Sequence, residues 1–373
     1  MRTAFNRFDF IRLLLASLVF FYHAVSLSSF AALAAYETIF STVAELSIQG
    51  FFVISGVLVY GSLEHSDNIA DYAGKRVRRL YPAYAVVILI PAFVSFLFTF
   101  GERDAFGEIL RYMAANLVFL NFLEPNLPGL FQTNRFTDVN GALWTLKIEV
   151  MFYIALPLIA WVLRKMRGLW WIGIGALVFA AFVWKSALFA YDGAYAAQLS
   201  RQLPGQMMFF AAGMAVWRLR ASLIPHATSL FCIGLVALTL SLIIPALDAL
   251  RVLGLSCLIV GIAHMPGPPL RAARWGDISY GVYIVHFPIL QGLVMAGVFE
   301  QLGWAGGLAL ATILVFTSSY LLWWWVEKPA LRRDSHYRTV SKEEEDDERI
   351  RHNHTGRDPR WNSNPNAEPS RST

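Results

Sequence analysis

The sequence is short of charge. Asp, Glu, Lys and Arg make up only 15% of its 373 residues, whereas soluble domains carry about 25%. Apolar residues supply 56%, and mean hydropathy is +0.49. That balance excludes an ordinary soluble domain. Several apolar runs approach or exceed the roughly 20 residues that cross a bilayer as a helix, so the expected class is an all-α polytopic membrane protein. Short segments of alternating hydrophobicity are missing, which excludes a transmembrane β-barrel. Cysteine is nearly absent. Cys232 and Cys257 both fall in apolar runs, where they suit core or lipid-facing thiols better than a disulfide. No CxxC or HExxH pattern is present, so no metal site is expected. No internal repeat is visible either, and the symmetry typical of many transporters goes with it.

What the sequence does contain is about ten apolar spans, at 10–30, 43–63, 82–100, 142–163, 169–186, 203–217, 228–247, 252–264, 278–298 and 304–326. The first lacks a small-residue cleavage site and is too long for a signal h-region, so a retained first span is expected. A pI near 9.2 and a formal charge of +5 would suit nucleic acid, but the positions of the cations exclude that partner. They cluster in every second connection: Arg2, Arg7 and Arg12; Lys75, Arg76, Arg78 and Arg79; Arg164, Lys165 and Arg167; Arg218 and Arg220; Arg271 and Arg274; Lys328, Arg332 and Arg333. The opposite connections carry fewer, chiefly Arg103, Arg111, Arg135, Lys185, Arg201 and Arg251. This is the positive-inside pattern, and it predicts both termini in the cytoplasm. A membrane domain over 1–333 and a disordered, charged cytoplasmic tail over 334–373 follow from the change in composition. Within the long 101–141 connection, 108–123 is expected to form an interfacial helix, and Trp304 and Trp323–Trp325 are expected to act as interfacial anchors.

Polar groups inside spans are costly and mark function. The first span carries Arg12 and His23, eleven residues and about three helical turns apart, on nearly one face. The second carries Gln49 and Ser55, the fourth Lys147 and Glu149, and the ninth Ser279, Tyr283 and His286 at i, i+4, i+7. A stripe of that kind should face the protein interior. His23 and Glu149 each lie about seven residues from the expected outer end of their span, roughly 10 Å deep. If the two helices are neighbours, Glu149 and His23 can meet, and a carboxylate beside an imidazole makes a general base.

In order, FDFIRLLLASLVFFYHA, QGFFVISGVLVYG, KRVRRLYPAY, LWTLKIEVMFY, ISYGVYIVHFPI and the closing VEKP resemble the acyltransferase-3 family of integral membrane acyltransferases. The first segment has that family's Arg, ten residues, His spacing. One departure is Lys147, where the family most often has serine. It puts a cation near Glu149 that can compete for its charge. A stand-alone member is expected, with no SGNH-type hydrolase domain after the spans.

The resemblance implies transfer of an acyl group, usually acetyl from acetyl-CoA, to a hydroxyl of a cell-surface or lipid-linked carbohydrate. It implies an enzyme of the bacterial inner membrane whose partners are an acyl-CoA donor, a glycan or glycolipid acceptor and the bilayer. No bound cofactor is needed, because a thioester is already activated. Carried over by position, His23 is the catalytic histidine and Arg12 the arginine of its motif, while Arg78 and Arg79 match the basic pair after the second span. With Lys75 and Arg76, these cations are the candidate site for the phosphates of acyl-CoA. Ser55, Lys147, Tyr283 and His286 are candidate substrate-binding residues, and His23 with Glu149 is the candidate catalytic pair. A transporter or flippase of a lipid-linked saccharide is the competing reading, disfavoured by the ordered segments and the missing repeat.

Overall fold

In the computed structural model, residues 7–331 are described, apart from 192, 269, 271 and 273–275. The 334–373 tail, and with it the proposed domain boundary, lies outside the described residues, as do Arg2, Arg271, Arg274, Arg332 and Arg333. Regular structure among the described residues is entirely helical. All ten expected spans are helices: α1 (Phe8–Ser28), α2 (Glu37–Glu64), α3 (Ile69–Phe98), α5 (Trp144–Lys165), α6 (Trp170–Tyr191), α8 (Leu203–Leu223), α9 (Ala227–Ile243), α10 (Leu250–His264), α11 (Ser279–Met295) and α12 (Val298–Leu322). Among the described residues seven stretches are long and apolar enough to cross a membrane, and one of these, Ala196–Ile243, holds both α8 and α9. Helices α10 and α11 are shorter apolar helices.

Local chemistry sets several boundaries. Helix α3 starts where the Asn68 side chain accepts a hydrogen bond from the Asp71 N–H at 2.9 Å. Near the start of α12, Gly303 sits at φ 68°, where a side chain would be strained, so the uninterrupted helix begins at Trp304. The interfacial helix expected at 108–123 is α4 (Arg103–Leu117), shifted toward the N-terminus. Its buried residues Ala105, Ile109, Tyr112 and Asn116 form one stripe. A short α7 (Ala196–Ser200) precedes α8.

Two clusters of packed apolar side chains share α1 and α2. One joins them to α3, α11, α12 and the connection after α4, and the other to α5, α8 and α10. Helix α11 is wrapped almost completely, and Ser279, Tyr283 and His286 are buried as the i, i+4, i+7 stripe requires. After α12 the backbone widens into a π turn over Trp323–Glu327. That turn buries Trp323 against the Arg79 guanidinium and leaves Trp325 75% exposed. Trp323 is therefore a core residue, not an interfacial anchor.

Helices α2 and α8 touch through backbone. A Cβ at Gly56 would run into the Phe210 carbonyl and Gly213 Cα, and one at Gly213 would meet the Val53 carbonyl. Small residues are what permit such an approach inside a bilayer. Replacing Gly56 by Val should lower the detergent melting temperature, at a cost of about 1–3 kcal/mol. Gly175→Ala in α6, where a Cβ meets nothing within 4 Å, should leave it unchanged.

Candidate active site

Helices α1 and α11 pack so that two imidazoles meet. His23 Nδ1 lies 2.9 Å from His286 Nε2, and the rings stack at 5.0 Å between centroids. The other ring nitrogen of His286, Nδ1, lies 3.0 Å from the Val282 carbonyl, one turn back on α11. A carbonyl only accepts, so this Nδ1 carries the proton. In a neutral ring Nε2 then accepts, His23 Nδ1 must donate, and His23 Nε2 keeps its lone pair. Chemically, such an arrangement can serve as a general base whose tautomer is set by a chain ending on backbone.

His23 lines a cavity of about 320 Å³ at the end of the bundle where α1 finishes and α2 begins. Its outer wall is the connection between α4 and α5, fastened to α11 by three side-chain amides. Gln291 of α11 donates to the carbonyls of Phe136 (2.7 Å) and Asp138 (2.8 Å). Asn140 and Asn134 donate back to the carbonyls of Ile284 and Gln291. The wall presents Asp138 and Phe136 to the cavity. Burial pushes the Asp138 carboxyl up from its ordinary range.

A second cavity, about 80 Å³, opens toward the other end. Ile48 and Tyr283 line both, so the two meet at these side chains. There the Tyr283 and Thr145 hydroxyls are 2.6 Å apart. The second cavity is also lined by Ser55, Glu149, Arg12, Arg76 and Arg79. Arg79, 7% exposed, bridges Asp277 at 2.6 Å and Glu327 at 2.5 Å. Arg12 shares the same Asp277 oxygen at 2.6 Å. Two cations and two carboxylates thus form one buried cluster. Burial raises the Asp277 carboxyl, but Arg12, Arg79 and the Ser279 hydroxyl outweigh it and hold the group well below the usual carboxylate range.

The basic segment after the second span therefore divides. Arg79 points inward and is neutralised, whereas its neighbour Arg78 is exposed. Lys75 pairs with Asp71 at 2.7 Å. Arg76 donates to the Ser62 hydroxyl at 3.1 Å, lies over the Tyr153 ring and pairs with no carboxylate among the described residues.

Glu149 does not meet His23. It accepts from Ser55 at 3.0 Å and from Tyr153 at 2.5 Å, in the other cavity. Matching depth sets height along the membrane normal but not direction around the helix axis, and α11 supplies the imidazole's partner instead. Lys147 does not pair with Glu149 either. Residues two apart on a helix face different ways, and the Lys147 ammonium sits 4.6 Å from the Phe122 ring. Sequence reasoning overlooked Asp277, Glu327 and Gln291. The two acids stand beside segments already singled out, DISYG and VEKP. Two buried arginines in need of counter-charges are the signal that points to them. Among the described residues no three His, Cys, Asp or Glu lie close enough together to hold a metal ion.

A family model described as an acyltransferase domain matches residues 5–324. The chain is similar to Nodulation protein 10 of Rhizobium leguminosarum bv. viciae, 28% identical over 338 residues covering 81% of this chain and 85% of that protein. To an O-acetyl transferase of Shigella phage Sf6 it is 26% identical over 351 residues, 88% of this chain and 97% of the relative. Acyltransferase MdmB of Streptomyces mycarofaciens is 24% identical over 316 residues, with 74% and 77% covered. No solved structure matches the chain.

The buried cluster makes consecutive arginines unequal. Arg79→Met strands Glu327 and leaves Asp277 with Arg12 alone of its two cations, and it should cost about 3–5 kcal/mol, seen as loss of folded protein on gel filtration. Arg78→Met at an exposed position should leave the stability within about 0.5 kcal/mol of the parent.

Proposed function

The chain belongs to the acyltransferase family whose model it matches, and on that premise we propose that it moves an acetyl group from acetyl-CoA to a hydroxyl of a cell-surface or lipid-linked carbohydrate. The observation that carries this reading is the pair of cavities meeting at Ile48 and Tyr283, with an imidazole lone pair in one and Arg76 in the other. The name O-acetyl transferase on the phage relative supports acetyl as the group and oxygen as its destination.

In this scheme the cavity at the Arg76 end faces the cytoplasm of the inner membrane, as the alternation of basic connections favours. Acetyl-CoA rests its phosphates on Arg76, Arg78 and Lys75, and its pantetheine arm runs inward past Arg12 toward Tyr283. Arg12 and Arg79, held by Asp277 and Glu327, shape the path more than they supply net charge. Ser55 and Glu149 line the same path, where they can accept from or donate to the pantetheine amides. The acceptor sugar occupies the opposite cavity. His23 Nε2 takes the proton of the attacking hydroxyl as its oxygen bonds to the thioester carbon. The carbon–sulfur bond breaks, and the imidazolium returns that proton to the leaving thiolate. Products are the acetyl ester and free coenzyme A. Lys147, over Phe122 and away from Glu149, has no part in this chemistry.

A positioned base is worth about 10²–10⁴-fold, so His23→Ala should lose that much transfer in purified protein given labelled acetyl-CoA and glycan. His286→Phe should cost at least about tenfold, because His23 loses the acceptor that fixes its tautomer. Full activity in folded His23→Ala protein, or movement of a saccharide across vesicles with no acetyl transfer, would overturn the reading.

A further inference from the structure

The cavity that holds His23 contains two amides whose hydrogen bonding is only half complete. Gln49 of α2 is 2% exposed, and Gln206 of α8 is 6% exposed. Each is oriented by its NH₂ group. Gln49 donates to the Glu45 carboxylate at 2.8 Å, and Gln206 donates to the Ser200 carbonyl at 3.4 Å. Neither partner can donate, so in both residues Oε1 is the remaining atom. Both of these oxygens are buried and have no hydrogen-bond donor among the described residues. A buried acceptor without a donor costs about 1–3 kcal/mol, and two in one cavity need an explanation.

We propose that Gln49 and Gln206 form a sugar-recognition subsite that accepts hydrogen bonds from two hydroxyls of the acceptor ring, beside the hydroxyl presented to His23. The proposal rests on reading this cavity as the acceptor side. Three features bear on the class of ligand. Gln49, Gln206, Glu45 and Asp138 bring acceptor atoms to this lining, and its cation, Arg201, is held over the Trp144 ring, so the two unpartnered amide oxygens call for donors from the ligand, and hydroxyls are the donors a sugar has in excess. Trp144 and the Arg201 guanidinium 5.9 Å from its ring centre supply a stacked wall against which a pyranose ring can lie and from which its oxygens can accept. The volume of about 320 Å³ lies at the small end of ligand sites, which run from about 300 to 1,000 Å³. The unit bound here is accordingly a single sugar ring with at least two free hydroxyls besides the one acylated, and with no anionic substituent against the amides.

The test uses the full-length protein in detergent with a panel of methyl hexopyranosides, methyl 6-deoxyhexopyranosides and their monodeoxy analogues. Affinity is read from the rise in melting temperature with glycoside, and transfer is read separately with labelled acetyl-CoA. In the wild type at least one glycoside should raise the melting temperature. In Gln49→Leu and in Gln206→Leu its affinity should fall about five- to tenfold, the worth of one hydrogen bond, with the KM for acetyl-CoA unchanged. The monodeoxy analogue lacking the bonded hydroxyl should bind the wild type as weakly as the parent glycoside binds the variant. Melting temperature without glycoside shows which variants fold. Gln49→Met and Gln206→Met, which also lack the oxygen, stand in where Leu does not fold. Wild-type protein indifferent to every glycoside overturns the proposal, as do folded variants with unchanged affinity. Acetyl transfer to a glycoside whose affinity ignores both amides overturns the subsite alone. Amide-dependent glycoside binding without any acetyl transfer supports the subsite and overturns the acyltransfer reading.

Discussion

Inside a bundle surrounded by hydrocarbon, a polar side chain has no water to fall back on and must find its partner on another helix. That constraint organises the molecule. Arg12 and Arg79 would be prohibitive alone, so Asp277 and Glu327 are brought to them from opposite ends of α11 and α12, with a π turn placing the second. His286 has no exposure at all, and it resolves both ring nitrogens through Val282 and His23. The same requirement fastens the connection after α4, where Gln291 satisfies its amide on loop carbonyls and in doing so closes one side of the His23 cavity. Packing follows from these pairings, because α1 cannot slide along α11 without breaking the imidazole contact and the Arg12 ion pair together.

Helix α1 thus spans two environments. At one end Arg12 belongs to a charged cluster whose four groups cancel, and at the other His23 belongs to a chain that bears no formal charge when both rings are neutral. Between them Ile48 and Tyr283 separate the two cavities. On the proposed reaction this division suits the two substrates. A polyanionic donor needs net positive charge only at its mouth, which Arg76 and Arg78 supply. A neutral sugar needs acceptors and a stacked wall. Reacting atoms would meet at the septum, so neither substrate has to cross the bundle.

The legible part of this protein was the part written as a one-dimensional pattern. Ten apolar runs became ten helices, and the stripe Ser279, Tyr283, His286 faced inward because period alone decides the face of a helix that is already placed. Arg12 and His23 stood out because titratable groups are rare in such runs. What was not legible was azimuth between helices. Glu149 and His23 share a depth, but α2 brings Ser55 to the carboxylate while α11 brings His286 to the imidazole. Likewise the run KRVRR reads as one basic patch, yet successive residues turn by about 100° and divide it into an exposed Arg78 and a buried Arg79. Trp323 misled for the same reason: three consecutive tryptophans must point in three directions, and only some of them can reach the interface.

On the proposed reaction, the use of a second imidazole where hydrolases commonly place a carboxylate also follows from the surroundings. A carboxylate hydrogen-bonded to His23 would add a lasting negative charge to a lining that already holds Glu45 and Asp138, and it would demand a cation of its own, as Asp277 and Glu327 do. The His23–His286–Val282 chain avoids that standing cost. Its weakness is that the imidazolium formed during proton transfer meets a carbonyl dipole and not a full negative charge, so the cation is stabilised less. Such a base works best when the proton it gains is passed on without delay. In the proposed transfer the departing thiolate is formed in the same step and takes that proton, so the site begins and ends neutral. On that proposal a thioester donor fits this base better than a substrate whose leaving group departs late or into water.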